Sequence, residues 1–520
     1  MVGESYAKEG FRRGVSVFPT IDDEVHIVTE EDLTTIYAAS GPSMVEIGCH
    51  SASESLRAFV DLDKIVTRHA AIVGSTGSGK SNTVAGFLKT LTKGELPNAR
   101  VVVIDPHGEY STAFQGSSRV FRINDASNPL YVPYWALSFD ELMWFLVDRR
   151  TTSESMQDAT IRDNIFEQKK SNCTTLQAGQ INSDEITVDS PVPFDIKKLW
   201  YDLYVRENAT LQEKGNWNTL AFRKDASETE IKGDKDTLTP PQFNPPGTSS
   251  NPPFKPPMSL NLGSHLNKIH GRLKDRRFDF LTSPGNYDGT TRDLNNLISD
   301  WIDHDDVITI LDLSGIPFEV IDLVVGVLTR ILFEGMFWGR DLPGIGKQRP
   351  LLIVFEEAHT YLPRGGSSQF VAGYASQAVR RIFKEGRKYG VGSIVVSQRP
   401  SELDETILSQ CGTFFALRLS NSEDQGRIRS AIQDTLGGLI DLLPALRTGE
   451  ALILGEAIQI PSRVRLPLIE PRPKSDDPEV SNRWAEERIT SSPYDDAVTG
   501  WRRQRMPHPK ETGSPEEVKK

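Results

Sequence analysis

The run HAAIVGSTGSGKS, His69 to Ser81, leaves the chain few ways to fold. Ala70 to Val73 are consecutive apolar residues bounded by a glycine, which predicts a short buried strand. Gly74, Ser75, Thr76, Gly77, Ser78, Gly79, Lys80 and Ser81 follow, and these are G-x-x-x-x-G-K-[ST] in full. Beyond them Val84, Phe87, Leu88 and Leu91 recur at i, i+3, i+4 and i+7, a helical stripe with Gly94 as its stop. Glycines let the backbone curl so that several N–H groups point inward, beside the positive end of a helix. Lys80 is placed to reach β and γ phosphates, and the Ser81 hydroxyl to ligate Mg²⁺. The run predicts a nucleoside triphosphate site, with Asn82 counted in the cradle.

A chain of 520 residues exceeds one ordinary domain, so two or three units are expected. The formal net charge of −12 argues against a generally basic coat, but a pore can be locally basic inside an acidic exterior. Cys49, Cys173 and Cys411 have no paired spacing, which fits a reducing cytoplasm and neither a disulfide nor a metal framework. No secretory signal opens the sequence. The longest apolar run, Val320 to Trp338, is broken by Asp322, Arg330 and Glu334, so no membrane span is expected.

Residues 1–67 alternate short β-prone runs with turn signals (VSVFPTIDDEVHIV, LTTIYAASGPSMVEIG, LRAFVDLDKIV), which predicts a small β-barrel. Val101 to Ile104 read as a buried strand ending in Asp105-Pro106-His107-Gly108-Glu109-Tyr110. Asp105 and Glu109 are candidates for positioning Mg²⁺ or the attacking water; a strand-terminating turn would look the same. Residues 130–275 turn helical and read as an insertion containing a proline-rich loop, 223–258, taken as flexible and partly extended. Arg272, Lys274, Arg276 and Arg277 near its end suit either a basic contact or a solvated helix face. Strands at Val307–Leu313, Leu351–Phe355, Ser393–Ser397 and Thr413–Leu419 then alternate with helices, the pattern of a largely parallel sheet. Gly449–Leu466 reads as a closing hairpin, and 471–520 as a polar arm or tail. The core is thus assigned to 68–129 and 276–470.

LLIVFEE, ending in Glu356 and Glu357, is the natural partner of the phosphate loop. One carboxylate would hold Mg²⁺ through water, and the next would take a proton from the nucleophile. Glu356 stands where Asp is usual and is the metal candidate with Ser81 and Asp105; Glu357 is the general base. Gln398, at the tip of the following strand, suits a γ-phosphate sensor because an amide orients water without adding charge. Between them QAVRRIFKEGRKYG carries Arg380, Arg381 and Arg387. One of these reaches a neighbouring subunit's nucleotide, or the helix is simply basic and paired through Glu385.

The combination TRHAAIVGSTGSGKSNT, IDPHGEY, LLIVFEEAH, GRKYGVGSIVVSQRPSELDETILSQCGTFFALRL and GEALILGEAIQIP resembles the HerA-type hexameric ATPases of the HerA/FtsK branch of RecA-like translocases. The resemblance implies an α/β fold: a RecA-like P-loop ATPase core with an N-terminal β-barrel and a helical insertion. It makes Lys80 and Ser81 the phosphate-loop pair, Glu357 the catalytic acid and Gln398 the sensor. It sets Arg68 on the nucleotide of its own subunit. The trans finger falls on Arg380 or Arg381, with Arg387 as the fallback. The cofactors implied are ATP and Mg²⁺. The partners implied are five further copies in a six-membered ring, duplex DNA through its pore, and a nuclease or sirtuin-like effector, in some relatives for antiphage defence. A platform that recruits an effector under ATP control, without translocation, uses the same residues. GTPases are disfavoured because N-K-x-D is absent, the nearest run being Asn267-Lys268-Ile269-His270.

Overall fold

The computed structural model describes residues 3–6, 10–37, 41–93, 96–148, 155–248, 250–256, 259–366, 373–432, 437–474, 480–486 and 494–504. The chain divides into two compact units, residues 1–132 with 292–476, and residues 133–291 with 477–520. The strands in chain order are β1 (Gly3–Tyr6), β2 (Gly10–Arg13), β3 (Met44–His50), β4 (Arg57–Asp61), β5 (Ala70–Val73), β6 (Arg100–Asp105), β7 (Ser118–Arg122), β8 (Ile308–Asp312), β9 (Leu351–Phe355), β10 (Val391–Ser397), β11 (Thr413–Ala416), β12 (Glu450–Gly455) and β13 (Ser462–Arg465).

The first unit is built on an 11-stranded sheet in the order β4-β3-β13-β12-β11-β5-β10-β9-β6-β8-β7. From β11 to β7 neighbouring strands run parallel, and from β11 to β4 they pair antiparallel. Every residue of β5, β6, β8, β9, β10 and β11 is buried, so both faces of this part are covered. That explains why these strands read as unbroken apolar runs. The helix Lys80–Leu91 puts Val84, Phe87, Leu88 and Leu91 into the core with Ala70, Ile72, Val101 and Val354. Gly94, its expected stop, lies outside the described residues.

Residues 1–67 differ from the barrel expected. β1 and β2 make a two-stranded hairpin, while β3 and β4 extend the large sheet through β13, at Val464↔His50 and Arg465↔Cys49. Ile47, Ala58 and Val60 join the same core as the phosphate-loop strand. A half-buried strand alternates identically in a barrel and at a sheet margin, so period alone could not choose. The run LTTIY is largely helical: Glu30–Ile36 starts on a capping box between Thr29 and Asp32.

The second unit contains helices Phe139–Val147, Met156–Asn172, Ile196–Asn208 and Gly263–Lys274. Segment 223–258 carries no regular helix or strand among its described residues, yet antiparallel bridges tie it down. Phe222 pairs with Phe243, Asp234 with Thr239, and Leu211 with Phe254. These bridges join the segment to itself and to residues 211 and 222. Arg272 pairs with Asp148 at 2.8 Å and Arg277 with Asp275 at 2.7 Å, so these two cations serve local structure. Among the described residues no helix is long and apolar enough to cross a membrane.

Candidate active site

Because β5, β6, β9, β10 and β11 are parallel, whatever follows each strand gathers at one sheet edge, where open α/β sheets bind ligands. The loop after β5 is shaped by its glycines. Gly79 caps the helix at φ 101°, a left-handed conformation. A Cβ on Gly74 would stand 2.6 Å from Ser78 Oγ and 2.8 Å from Leu417 Cβ. Lys80 is buried, and its Nζ donates to Ser75 O at 3.3 Å. Burial lowers the Lys80 pKa, while Glu357, Glu356 and Glu109 pull it back up.

Two hydrogen bonds in series join this loop to the acid after β9. Thr76 Oγ1 donates to Gln398 Oε1 at 2.6 Å, and Gln398 Nε2 donates to Glu357 Oε1 at 3.1 Å. The other oxygen, Glu357 Oε2, lies 3.2 Å from His359 Nδ1 but has no aligned hydrogen-bond partner. Glu357 has φ 45°, an uncommon setting for a side chain with a Cβ, and strain of this kind gathers at functional sites. Burial holds the His359 pKa low, against the pull of Glu357. A polar cavity of about 420 Å³, lined by Ser75, Thr76, Gln398 and Arg399 among others, opens beside this chain. A water between Glu357 and a phosphate on the loop would meet a carboxylate acceptor and an amide that fixes its direction.

The metal side departs from expectation. Ser81 Oγ donates to Glu109 Oε2 at 2.9 Å, not to Glu356. Glu356 is 1% exposed and accepts the Tyr110 hydroxyl at 2.8 Å. Burial pushes its carboxyl well up, helped by Glu357, Asp105 and Glu109 and opposed by the Tyr110 bond. Asp105 accepts from the backbone N–H groups of His107, Gly108 and Tyr110, and burial lifts its pKa to about 6. Both Asp105 oxygens are thus held by backbone N–H groups, and Glu356 Oε2 by the Tyr110 hydroxyl. The hydroxyl and carboxylate of Ser81 and Glu109 are hard oxygen donors that suit Mg²⁺, an ion that takes few protein ligands and completes its shell with water and phosphate. Among the described residues no cluster of three or more His, Cys, Asp and Glu is built to hold a metal alone.

Other expected residues lie elsewhere. Asn82 is held at both ends, donating to Pro467 O at 2.9 Å and accepting from Ile469 N at 2.9 Å, so it anchors the segment after β13. Arg68 ends the helix before β5, at the opposite end of that strand from the loop, with Glu456 3.6 Å away. Arg380 bonds Asp404 at 2.9 Å. Arg381 reaches Glu334 and lies 4.6 Å from the Phe333 ring centroid. Arg387 is exposed in the last turn of the helix Tyr374–Tyr389, next to the start of β10. Conversely, the end of β11 and the turn before β12 clamp the phosphate loop, which sequence reading missed. Ser75 N donates to Arg418 O at 2.9 Å, and Thr448 Oγ1 to Gly77 O at 3.3 Å. His359 was visible in EEAH, but nothing in a sequence says which way its ring turns.

Residues 45–332 match the family described as "Helicase HerA, central domain", and residues 331–498 match "Helicase HerA-like C-terminal". The chain is 26% identical over 481 residues to the DNA double-strand break repair helicase HerA of Sulfolobus acidocaldarius, covering 92% of this chain and 80% of that one. It is 26% identical over 469 residues to the protein of that name from Pyrococcus furiosus, covering 85% and 72%. Among solved structures, VirB4 of Thermoanaerobacter pseudethanolicus superposes with a TM-score of 0.50 at 15% identity, over 82% of this chain and 97% of that one. The last is a likeness of fold alone.

Proposed function

Because the chain belongs to the HerA helicase family, as the match over residues 45–332 shows, we propose that this P-loop ATPase is a DNA motor that works as a ring of copies. The observation that carries this reading is the continuous link from phosphate loop to carboxylate, Thr76 to Gln398 to Glu357. Lys80 offsets charge on the β and γ phosphates of ATP. Ser81 and Glu109 are the groups that would hold Mg²⁺, which supplies charge neutralisation between phosphate oxygens. Gln398 orients the nucleophilic water and Glu357 takes its proton. A γ-phosphate is an acceptor, so on arrival it competes with Gln398 Oε1 for the Thr76 hydroxyl and with Glu357 Oε1 for the Gln398 Nε2–H. The nucleotide state is thereby passed to β10.

In this reading six copies surround duplex DNA, and an arginine of a neighbouring helix Tyr374–Tyr389 (Arg380 or Arg381, or else Arg387) completes each pocket. Contacts to DNA would be electrostatic, so they weaken steeply with salt. A separate effector chain, a nuclease or a sirtuin-like enzyme as expected for this family, would act on what the motor delivers, whether in end processing or in defence. The test is ATP hydrolysis with and without duplex DNA, together with the native mass of the assembly. Stimulation by DNA in a particle of six chains supports the motor. A hexamer whose hydrolysis ignores DNA favours instead an ATP-regulated platform that recruits the effector.

A further inference from the structure

β6 and β9 are neighbours, paired at Ile104↔Phe355, so the residues after them emerge side by side. The turn after β6 is tightly specified. Asp105 Oδ1 accepts from Gly108 N at 2.9 Å and Oδ2 from Tyr110 N at 3.1 Å. Gly108 has φ 70°, and a Cβ there would stand 2.9 Å from both carboxylate oxygens of Asp312. Consecutive residues of this turn then diverge. Glu109 reaches outward to Ser81 Oγ at 2.9 Å, while Tyr110 turns inward, fully buried, and its hydroxyl meets Glu356 Oε2 at 2.8 Å. The Glu356 backbone is fixed as well, since its N–H donates to Ile104 O at 3.1 Å and its carbonyl accepts from Tyr361 OH at 2.7 Å.

We propose that Glu356 is a positioning residue: its carboxyl is the acceptor that seats Tyr110, and through the 109–110 backbone it sets the Glu109 carboxylate on Ser81. The metal-side acid has in effect moved from the end of β9 to the turn after β6. This gives a reason for Glu in place of Asp. The side chain must cross to the Tyr110 hydroxyl, and an Asp is one methylene shorter. It also gives the buried carboxyl a task that needs no charge, in keeping with its burial among Asp105, Glu109 and Glu357.

The proposal rests on the nucleotide-site reading above, and the experiment separates the two. Binding of a fluorescent ATP analogue to the full chain is titrated with Mg²⁺ for wild type, Glu356→Gln, Tyr110→Phe and Glu109→Gln, with a parallel titration in EDTA. Glu356→Gln keeps an acceptor for the Tyr110 hydroxyl and should need Mg²⁺ within about twofold of wild type. Glu109→Gln and Tyr110→Phe should raise the Mg²⁺ requirement by between about ten- and a hundredfold, with EDTA affinity unchanged. If Glu356→Gln raises the Mg²⁺ requirement as far as Glu109→Gln does, Glu356 acts through its charge and the proposal is overturned. Thermal unfolding accompanies each variant. Should Tyr110→Phe lose its fold, Glu356→Leu, which removes the acceptor, decides in its place: it should raise the Mg²⁺ requirement as Glu109→Gln does, and an unchanged requirement would overturn the proposal. Wild type that binds no nucleotide at all would overturn the site reading itself and this proposal with it.

Discussion

His69 shows how a buried ring next to the phosphate-loop strand ties stability to pH. Its Nδ1 accepts the Ser393 N–H at 3.1 Å, and burial pushes the imidazole pKa down to about 4 from an ordinary 6.5. The ring is neutral when folded, whereas an unfolded chain takes up a proton as pH falls below 6.5. Its contribution is therefore intact above that value and is lost progressively on acidification toward about 4, on the order of 3 kcal/mol in all. Urea unfolding should show wild type losing stability relative to His69→Asn between neutral pH and about 5. A constant difference would mean that the ring is charged in the fold. Thr76→Val should leave ATP binding nearly unchanged but loosen the sensor, lowering the turnover rate and not the KM. The placement of Lys80, Ser81, Glu357 and Gln398 at one sheet edge was legible because each stands at a fixed offset from a strand end. The contacts of Glu356, Asp105 and Asn82 were not legible, because the same spacing is silent on side-chain direction. Glu356 and Asp105 turn inward, and Asn82 binds the chain after β13.

Among elements, the parallel strands were readable because burial on both faces demands unbroken apolar runs of about five residues. The margin of the sheet was not readable. β4 has the alternation of any half-buried strand, β3 breaks it at a bulge between Glu46 and Gly48, and the outer partner of β3, β13, lies some four hundred residues away along the chain, beyond any local signal. Close packing of the helix Leu62–Arg68 on β10 yields a sharp prediction. A Cβ at Gly392 would stand 2.2 Å from Val66 O, a backbone atom that cannot swing aside. Gly392→Ala should destabilise the first unit by about 1–3 kcal/mol, as overpacking does, read as a lower urea midpoint at unchanged slope. An unaltered midpoint would mean that this helix is free to lift from the sheet.

For the assembled molecule, the arginines of the helix Tyr374–Tyr389 decide whether one copy completes another's pocket. Arg380 and Arg381 are each paired within their own chain, so reaching a neighbour requires exchanging Asp404 or Glu334 for a nucleotide phosphate. Copies carrying Lys80→Ala lack a competent site but still offer the arginine; copies carrying Arg381→Ala have the reverse defect. If Arg381 acts in trans, each variant alone should be inactive, and mixing them should restore part of the ATPase rate. No recovery on mixing would point to Arg380 or Arg387.

The decisive observation is the ATP hydrolysis rate of Glu357→Gln set beside its nucleotide affinity. An amide in that position can still meet Gln398 but cannot take a proton from water. Hydrolysis should therefore fall by at least about a hundredfold, the low end of general-base contributions, while ATP still binds as in wild type. Turnover at the wild-type rate would show that the proton leaves by another route and that the carboxylate beside Gln398 is not the base.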